Sequence, residues 1–91
     1  MKELFSIGDA ADFVGITRRI ILNYEAHGLV FPDVKETPSG NRYYTIDTLT
    51  KIRTIRSLQN LGLSLDEILD YFNNSLMSTV TRLLRLRFPV I

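Results

Sequence analysis

Two adjacent arginines, Arg18 and Arg19, follow directly on Thr17 in this chain of 91 residues, and they are the side chains best suited to recognition chemistry. A guanidinium can pair bidentately with guanine O6 and N7, at about 1–3 kcal/mol of discrimination for a good pair. Cations at a helix start oppose the helix dipole, so two of them there are poor choices for stability alone. The competing reading is a solvated basic turn. Thr17 is first a helix cap, and its hydroxyl is also placed for a phosphate contact. Asn23 lies one turn beyond Arg19 and offers an amide to a phosphate or a base, or simply fills surface. Further on, Arg42 and Tyr43, with Lys35 opposite, would bring two cations and a phenol onto a hairpin, where contacts give grip and register without sequence information. The alternative for them is solvated hairpin charge. Arg53 and Arg56 are spaced to share a helix face and to reach flanking phosphates.

Other chemistries find little support. The chain has no cysteine and one histidine, which removes disulfides, thiolate nucleophiles and cysteine-ligated metal. No paired nucleophile and base and no glycine-rich phosphate loop is visible, so neither catalytic residues nor a cofactor or metal is expected. His27 is explained by its place near a helix C-terminus, where an imidazole meets the last carbonyls. Asp66, Glu67 and Asp70 read as helix-start charges and a solvated face. Arg82, Arg85 and Arg87, interleaved with Leu83, Leu84 and Leu86, read as a solvated face on a short helix.

Composition frames these residues. Apolar residues make up 45% and charged residues 23%, which is the balance of a globular chain, and the net charge of +1 decides nothing by itself. Distribution does: from Thr17 to Asn60 there are seven basic residues against four acidic ones. The start Met1-Lys2-Glu3-Leu4-Phe5 lacks the apolar run of a secretory signal, and no stretch approaches the roughly 18 apolar residues of a membrane span. The expectation is one small soluble domain in the cytoplasm, with no membrane partner and no site for a small molecule.

The elements that must position the arginines can be read from caps and spacing. Ser6-Ile7-Gly8-Asp9 carries a hydroxyl three residues before a carboxylate, a helix-start pattern. It predicts a first helix to about Phe13, with Ile7, Ala10, Ala11 and Val14 on its apolar face. Gly15-Ile16 breaks the pattern, Thr17 caps a second helix from Arg18 to His27, and Gly28 stops it. Two short helices joined by a tight glycine-containing turn make a helix-turn-helix. Extended segments at about Val34–Glu36 and Arg42–Tyr44 flank Thr37-Pro38-Ser39-Gly40-Asn41 and predict a hairpin. A third helix should start near Thr45 or Asp47, with Leu49, Ile52, Ile55, Leu58 and Leu61 along one side until Gly62. Ser64-Leu65-Asp66-Glu67 is an S-x-x-E box opening a fourth helix, with Ile68, Leu69 and Phe72 facing inward. Residues 1–74 would form one domain, and 75–91 a short C-terminal helix over Leu76–Phe88 that Pro89 ends.

Read in order, Phe5-Ser6-Ile7-Gly8-Asp9-Ala10-Ala11, Gly15-Ile16-Thr17, Tyr24-Glu25-x-x-Gly28-Leu29, Ser39-Gly40-Asn41-Arg42-x-Tyr44 and Leu61-Gly62-Leu63-Ser64-Leu65-Asp66-Glu67-Ile68 resemble the amino-terminal domain of the MerR family of bacterial transcription regulators. The resemblance covers about Phe5 to Phe72. It implies a mainly α winged helix-turn-helix, with helix two in the major groove of double-stranded DNA and the hairpin as a wing on the backbone. Family members pair as homodimers through a long antiparallel helix and distort promoter DNA in response to a signal. Tyr24 matches a position that touches the DNA backbone while packing its ring against the domain; packing alone is the competitor.

Two departures stand out. Where the family usually shows Arg-Tyr-Tyr late in helix two, this chain has Leu22, Asn23 and Tyr24, so a phosphate-pairing guanidinium and one phenol are missing. Fewer than two heptads lie between Ser75 and the closing Phe88-Pro89-Val90-Ile91, so dimerisation by the family's route requires that this short helix suffice. The expected function is a sequence-specific DNA-binding transcription regulator. The alternatives are a small excisionase-like protein that bends DNA, and a protein-interaction module that has lost DNA binding.

Overall fold

The computed structural model describes residues 3–74; the expected C-terminal helix lies outside the described residues. Strand β1 (Phe5–Ser6) leads directly into helix α1 (Ile7–Val14), followed by α2 (Arg18–Ala26), β2 (Val34–Lys35), β3 (Arg42–Tyr44), α3 (Ile46–Asn60) and α4 (Leu65–Asn73).

Local chemistry sets the helix starts. Ser6 Oγ accepts from Asp9 N at 3.1 Å, and Thr17 Oγ1 accepts from Ile20 N at 3.2 Å, each satisfying an amide at a helix start. Ser64 and Glu67 form the reciprocal capping box, with Ser64 N donating to Glu67 Oε1 at 2.9 Å and Glu67 N to Ser64 Oγ at 3.1 Å. Helix α3 is anchored differently. Thr45 makes no side-chain cap bond, and the carboxylate of Asp33 receives Thr45 N at 2.8 Å, Thr45 Oγ1 at 3.2 Å and Thr48 Oγ1 at 2.7 Å. A residue that enters the hairpin thus fixes the start of the helix that leaves it.

The turn between α1 and α2 passes through Gly15 at φ +80°, a left-handed conformation that costs a residue with a Cβ. The hairpin turn uses Gly40 at φ +76° in the same way, next to a cis Thr37–Pro38 peptide bond. Glu36 N donates to Asn41 O and Gly40 N to Glu36 O, both at 2.8 Å, closing that turn.

The sheet has the order β1-β3-β2, all antiparallel. Strand β3 is its middle: Tyr44 faces Phe5 and Tyr43 faces Ser6 on one side, while Tyr43 and Arg42 face Val34 and Lys35 on the other. The two-residue β1 shows no alternation in the sequence, and the expected hairpin gains this third strand. Because β1 continues into α1, the amino end of α1 is tied to the wing.

The core is formed by Ala10 and Ala11 of α1, Ile21 and Tyr24 of α2, Leu29, Val30, Tyr44, the α3 residues Leu49, Ile52 and Ile55, and Ile68 of α4. Alanines at the α1 contact let the helices approach closely, and Ile7, Val14, Leu58, Leu69 and Phe72 pack half-buried around it. Leu61 departs from its expected inward place: α3 ends at Asn60, the chain turns, and the side chain is 78% exposed.

Candidate nucleic-acid interface

The exposed face of α2 carries Arg18, Arg19, Leu22 and Asn23, residues that recur at i, i+1, i+4 and i+5 on one side of a helix whose other side buries Ile21 and Tyr24. Thr17, also exposed, sits at the head of this face as the cap. The helix ends under His27, whose Nδ1 lies 2.9 Å from Asn23 O as expected of an imidazole near a C-terminus.

Beside this face lies a groove of about 380 Å³, lined by Ser6, Ile7 and Gly8 of the β1–α1 junction, Arg18 and Leu22 of α2, and Gly40, Asn41, Arg42 and Tyr43 of the wing. It brings helix two and the wing together, as a winged helix-turn-helix requires. Lys35 stands exposed on β2, directly across from Arg42.

Three residues of the site have specific surroundings. Arg42 is held: Nε donates to Glu25 Oε1 at 2.8 Å, Nη2 to Glu25 Oε2 at 3.2 Å and Nη1 to Gly40 O at 3.3 Å. Glu25 raises the Arg42 pKa, first through this hydrogen bonding. The guanidinium expected to meet a phosphate therefore clasps the wing to α2, and a phosphate would have to share its donors. Tyr24 is fully buried, and its hydroxyl donates to Gln59 Oε1. Burial pushes its pKa up, opposed by neighbouring Arg56. Its competing reading, packing alone, fits these surroundings. Tyr43 lies half-exposed beside the Glu36 carboxylate, which hydrogen-bonds it and raises its pKa.

Arg53 and Arg56 stand three residues apart on α3, Arg53 exposed and Arg56 half-buried. Arg53 lies over the Phe13 ring at 5.9 Å, and Arg56 is half-buried against the Tyr24 phenol.

Sequence reasoning missed two contributors. Glu25 was legible only as part of the Tyr24-Glu25 motif, since its partner lies 17 residues away. Gly8 occupies the second position of α1, and an ideal Cβ there would meet Arg18 Nη2 at 2.8 Å, Cζ at 3.4 Å and Nε at 3.5 Å. A glycine inside a helix, where alanine would be favoured, was the available signal. Among the described residues no group of His, Cys, Asp and Glu could hold a metal, and no helix is long and apolar enough to cross a membrane.

A helix-turn-helix with a three-stranded wing packed against its second helix defines the winged helix-turn-helix class. The MerR HTH family regulatory protein model matches residues 5–75, and the chain belongs to this family. It is 38% identical over 64 residues to the mercuric resistance operon regulatory protein of Bacillus cereus, covering 70% of this chain and 48% of that protein. It is 38% identical over 63 residues to a probable heavy metal-dependent transcriptional regulator of Haemophilus influenzae, covering 69% and 48%. The chain thus spans about half the length of these relatives. Among solved structures, HiNmlR, a MerR family regulator lacking the sensor domain and bound to promoter DNA, superposes with a TM-score of 0.73 at 27% identity, covering 92% of this chain and 64% of that one. A transcriptional regulator of the MerR family from Bacillus cereus gives a TM-score of 0.68 at 24% identity over 92% and 75%, a likeness of fold.

Proposed function

We propose that this chain is the DNA-binding domain of a transcription regulator, recognising double-stranded DNA with α2 in the major groove and the wing on the backbone. The observation that carries the reading is the exposed Arg18-Arg19-Asn23 face of α2 lying beside the wing, in the fold of a regulator solved on promoter DNA.

In this reading Arg19 reaches base edges from the leading turn of α2, where a recognition helix presents its specifying residues. Asn23 supports it one turn later. Thr17, Lys35 and Tyr43 grip phosphates, giving affinity and register. Arg42 adds positive charge while holding the wing in place, and Tyr24 fixes α2 on the core. No residue is assigned a catalytic, cofactor or metal role. The domain comprises residues 1–74, followed by a short C-terminal helix over 75–91, and it works in the bacterial cytoplasm on the nucleoid. Two copies act as a homodimer on symmetric half-sites about one helical turn apart.

Titration of the chain against duplex DNA over a range of salt concentrations tests this, because phosphate neutralisation makes log affinity fall linearly with log salt. Steep dependence is expected. Flat or absent binding at low ionic strength would refute DNA recognition. Arg19→Ala should lower affinity for a selected site more than for random DNA.

A further inference from the structure

The cation missing at position 22 leaves the groove between α2 and the wing without its expected guanidinium. Leu22 instead lines that groove and is 39% exposed. Yet the groove is not left uncharged. The Arg18 side chain, one turn earlier, lines it as well, and its guanidinium lies over Gly8 with three of its atoms within 3.5 Å of where a Cβ would stand. No hydrogen bond or ion pair among the described residues ties up Arg18 in the way Glu25 ties up Arg42. Arg18 and Arg19 are neighbours in sequence with different surroundings: Arg19 does not line the groove.

Resting on the DNA-binding reading above, we infer that Arg18 is the backbone anchor of this domain: its guanidinium, seated over Gly8, takes a DNA phosphate in the groove and replaces the cation that Leu22 lacks. The two arginines then divide the labour. Arg19 reads bases, and Arg18 holds the strand that passes between α2 and the wing. Gly8 is the platform for this seat. The three atoms nearest a methyl group there all belong to the Arg18 guanidinium, the far end of a flexible side chain, so the cost of Gly8→Ala falls first on the guanidinium rather than on the fold.

The test uses the full chain, a duplex selected from a random-sequence pool and an unrelated duplex of equal length, both titrated across salt concentrations. Arg18→Ala is expected to weaken binding to both duplexes by the same factor and to reduce the salt slope by about 0.9, the loss of one phosphate contact. Gly8→Ala should weaken both duplexes alike without lowering the melting temperature, since alanine is the better helix former. Leu22→Arg introduced into the Arg18→Ala chain should restore affinity and slope, because it returns a guanidinium to the same groove. An Arg18→Ala loss confined to the selected duplex with an unchanged slope would overturn the inference in favour of base reading, as would no loss on either duplex or no rescue by Leu22→Arg. If the unmodified chain itself shows no salt-dependent binding, the DNA-binding reading falls first and the anchor with it.

Discussion

The clasp between Glu25 and Arg42 gives the sharpest prediction about the wing. It joins the late part of α2 to β3 through two charge-assisted hydrogen bonds of 2.8 and 3.2 Å, with each side chain 22% exposed. Fully exposed ion pairs contribute about 0.2–1 kcal/mol, whereas hydrogen bonds to charged groups reach about 1.5–3 kcal/mol. A bidentate pair at this depth lies between, and we expect a coupling of about 1–2 kcal/mol from a double-mutant cycle of Glu25→Gln and Arg42→Ala. Arg42→Ala alone should cost more than the double change, because it strands a half-buried carboxylate near the buried Tyr44 phenol. In a domain of this size each kcal/mol corresponds to roughly 4–8 °C in melting temperature, so chemical and thermal denaturation both resolve it. Hydrogen exchange supplies a local readout: the Glu36 and Gly40 amides, which close the wing turn, should lose protection in Arg42→Ala beyond the loss in global stability. A coupling below about 0.3 kcal/mol, within ordinary additivity, would refute the clasp as a stabilising contact.

Three further outcomes follow from single groups. Tyr44 is fully buried with no partner for its hydroxyl among the described residues, and burial raises its pKa from the ordinary phenol value of 10.0 to about 12. The stability tied to its neutral form is whole below pH 10 and lost as pH rises from 10.0 towards 12; Tyr44→Phe should flatten that alkaline loss and leave neutral-pH stability equal or higher, checked by melting temperature against pH. Glu67 has its pKa lowered below the ordinary carboxylate value of 4.5, chiefly by the Ser64 amide, so its contribution is present above that pH and fades as acid protonates it. Glu67→Gln should lower the melting temperature slightly at neutral pH and remove the loss below about pH 4.5, so that the two chains converge in acid in the same melting series. Asp33→Ala removes three hydrogen bonds to one carboxylate at the start of α3 and should destabilise by about 1–3 kcal/mol in urea unfolding, more than Asp33→Asn.

The sequence carried what is local. Each capping pattern, Ser6 to Asp9, Thr17 to Ile20 and Ser64 to Glu67, lies within three residues and appears in the structure at its expected place. The buried stripe Leu49, Ile52 and Ile55 was legible for the same reason, while Leu61 was not, because periodicity does not say where a helix stops obeying it. What escaped is long-range. Strand β1 exists only because β3 pairs with it, Arg42 found Glu25 rather than open solvent, and the guanidinium of Arg18 came to rest on Gly8. Types and order of residues announced the helix face of the site. Which arginine is free and which is engaged depended on contacts that no spacing encodes.

The position of β3 in the middle of the sheet also governs how this domain can vary over evolution. Its alternation turns Tyr44 to the core and Tyr43 towards the groove, and both neighbours are paired to it residue by residue. A residue inserted or deleted within Arg42–Tyr44 would swap those faces, turning Tyr43 towards the core in place of Tyr44 and parting Arg42 from Glu25. The turn at 37–40 carries no such burden, since extra length there leaves the pairing frame untouched. Length variation among descendants of this chain should therefore collect at the wing tip, while the three residues behind it stay fixed in number.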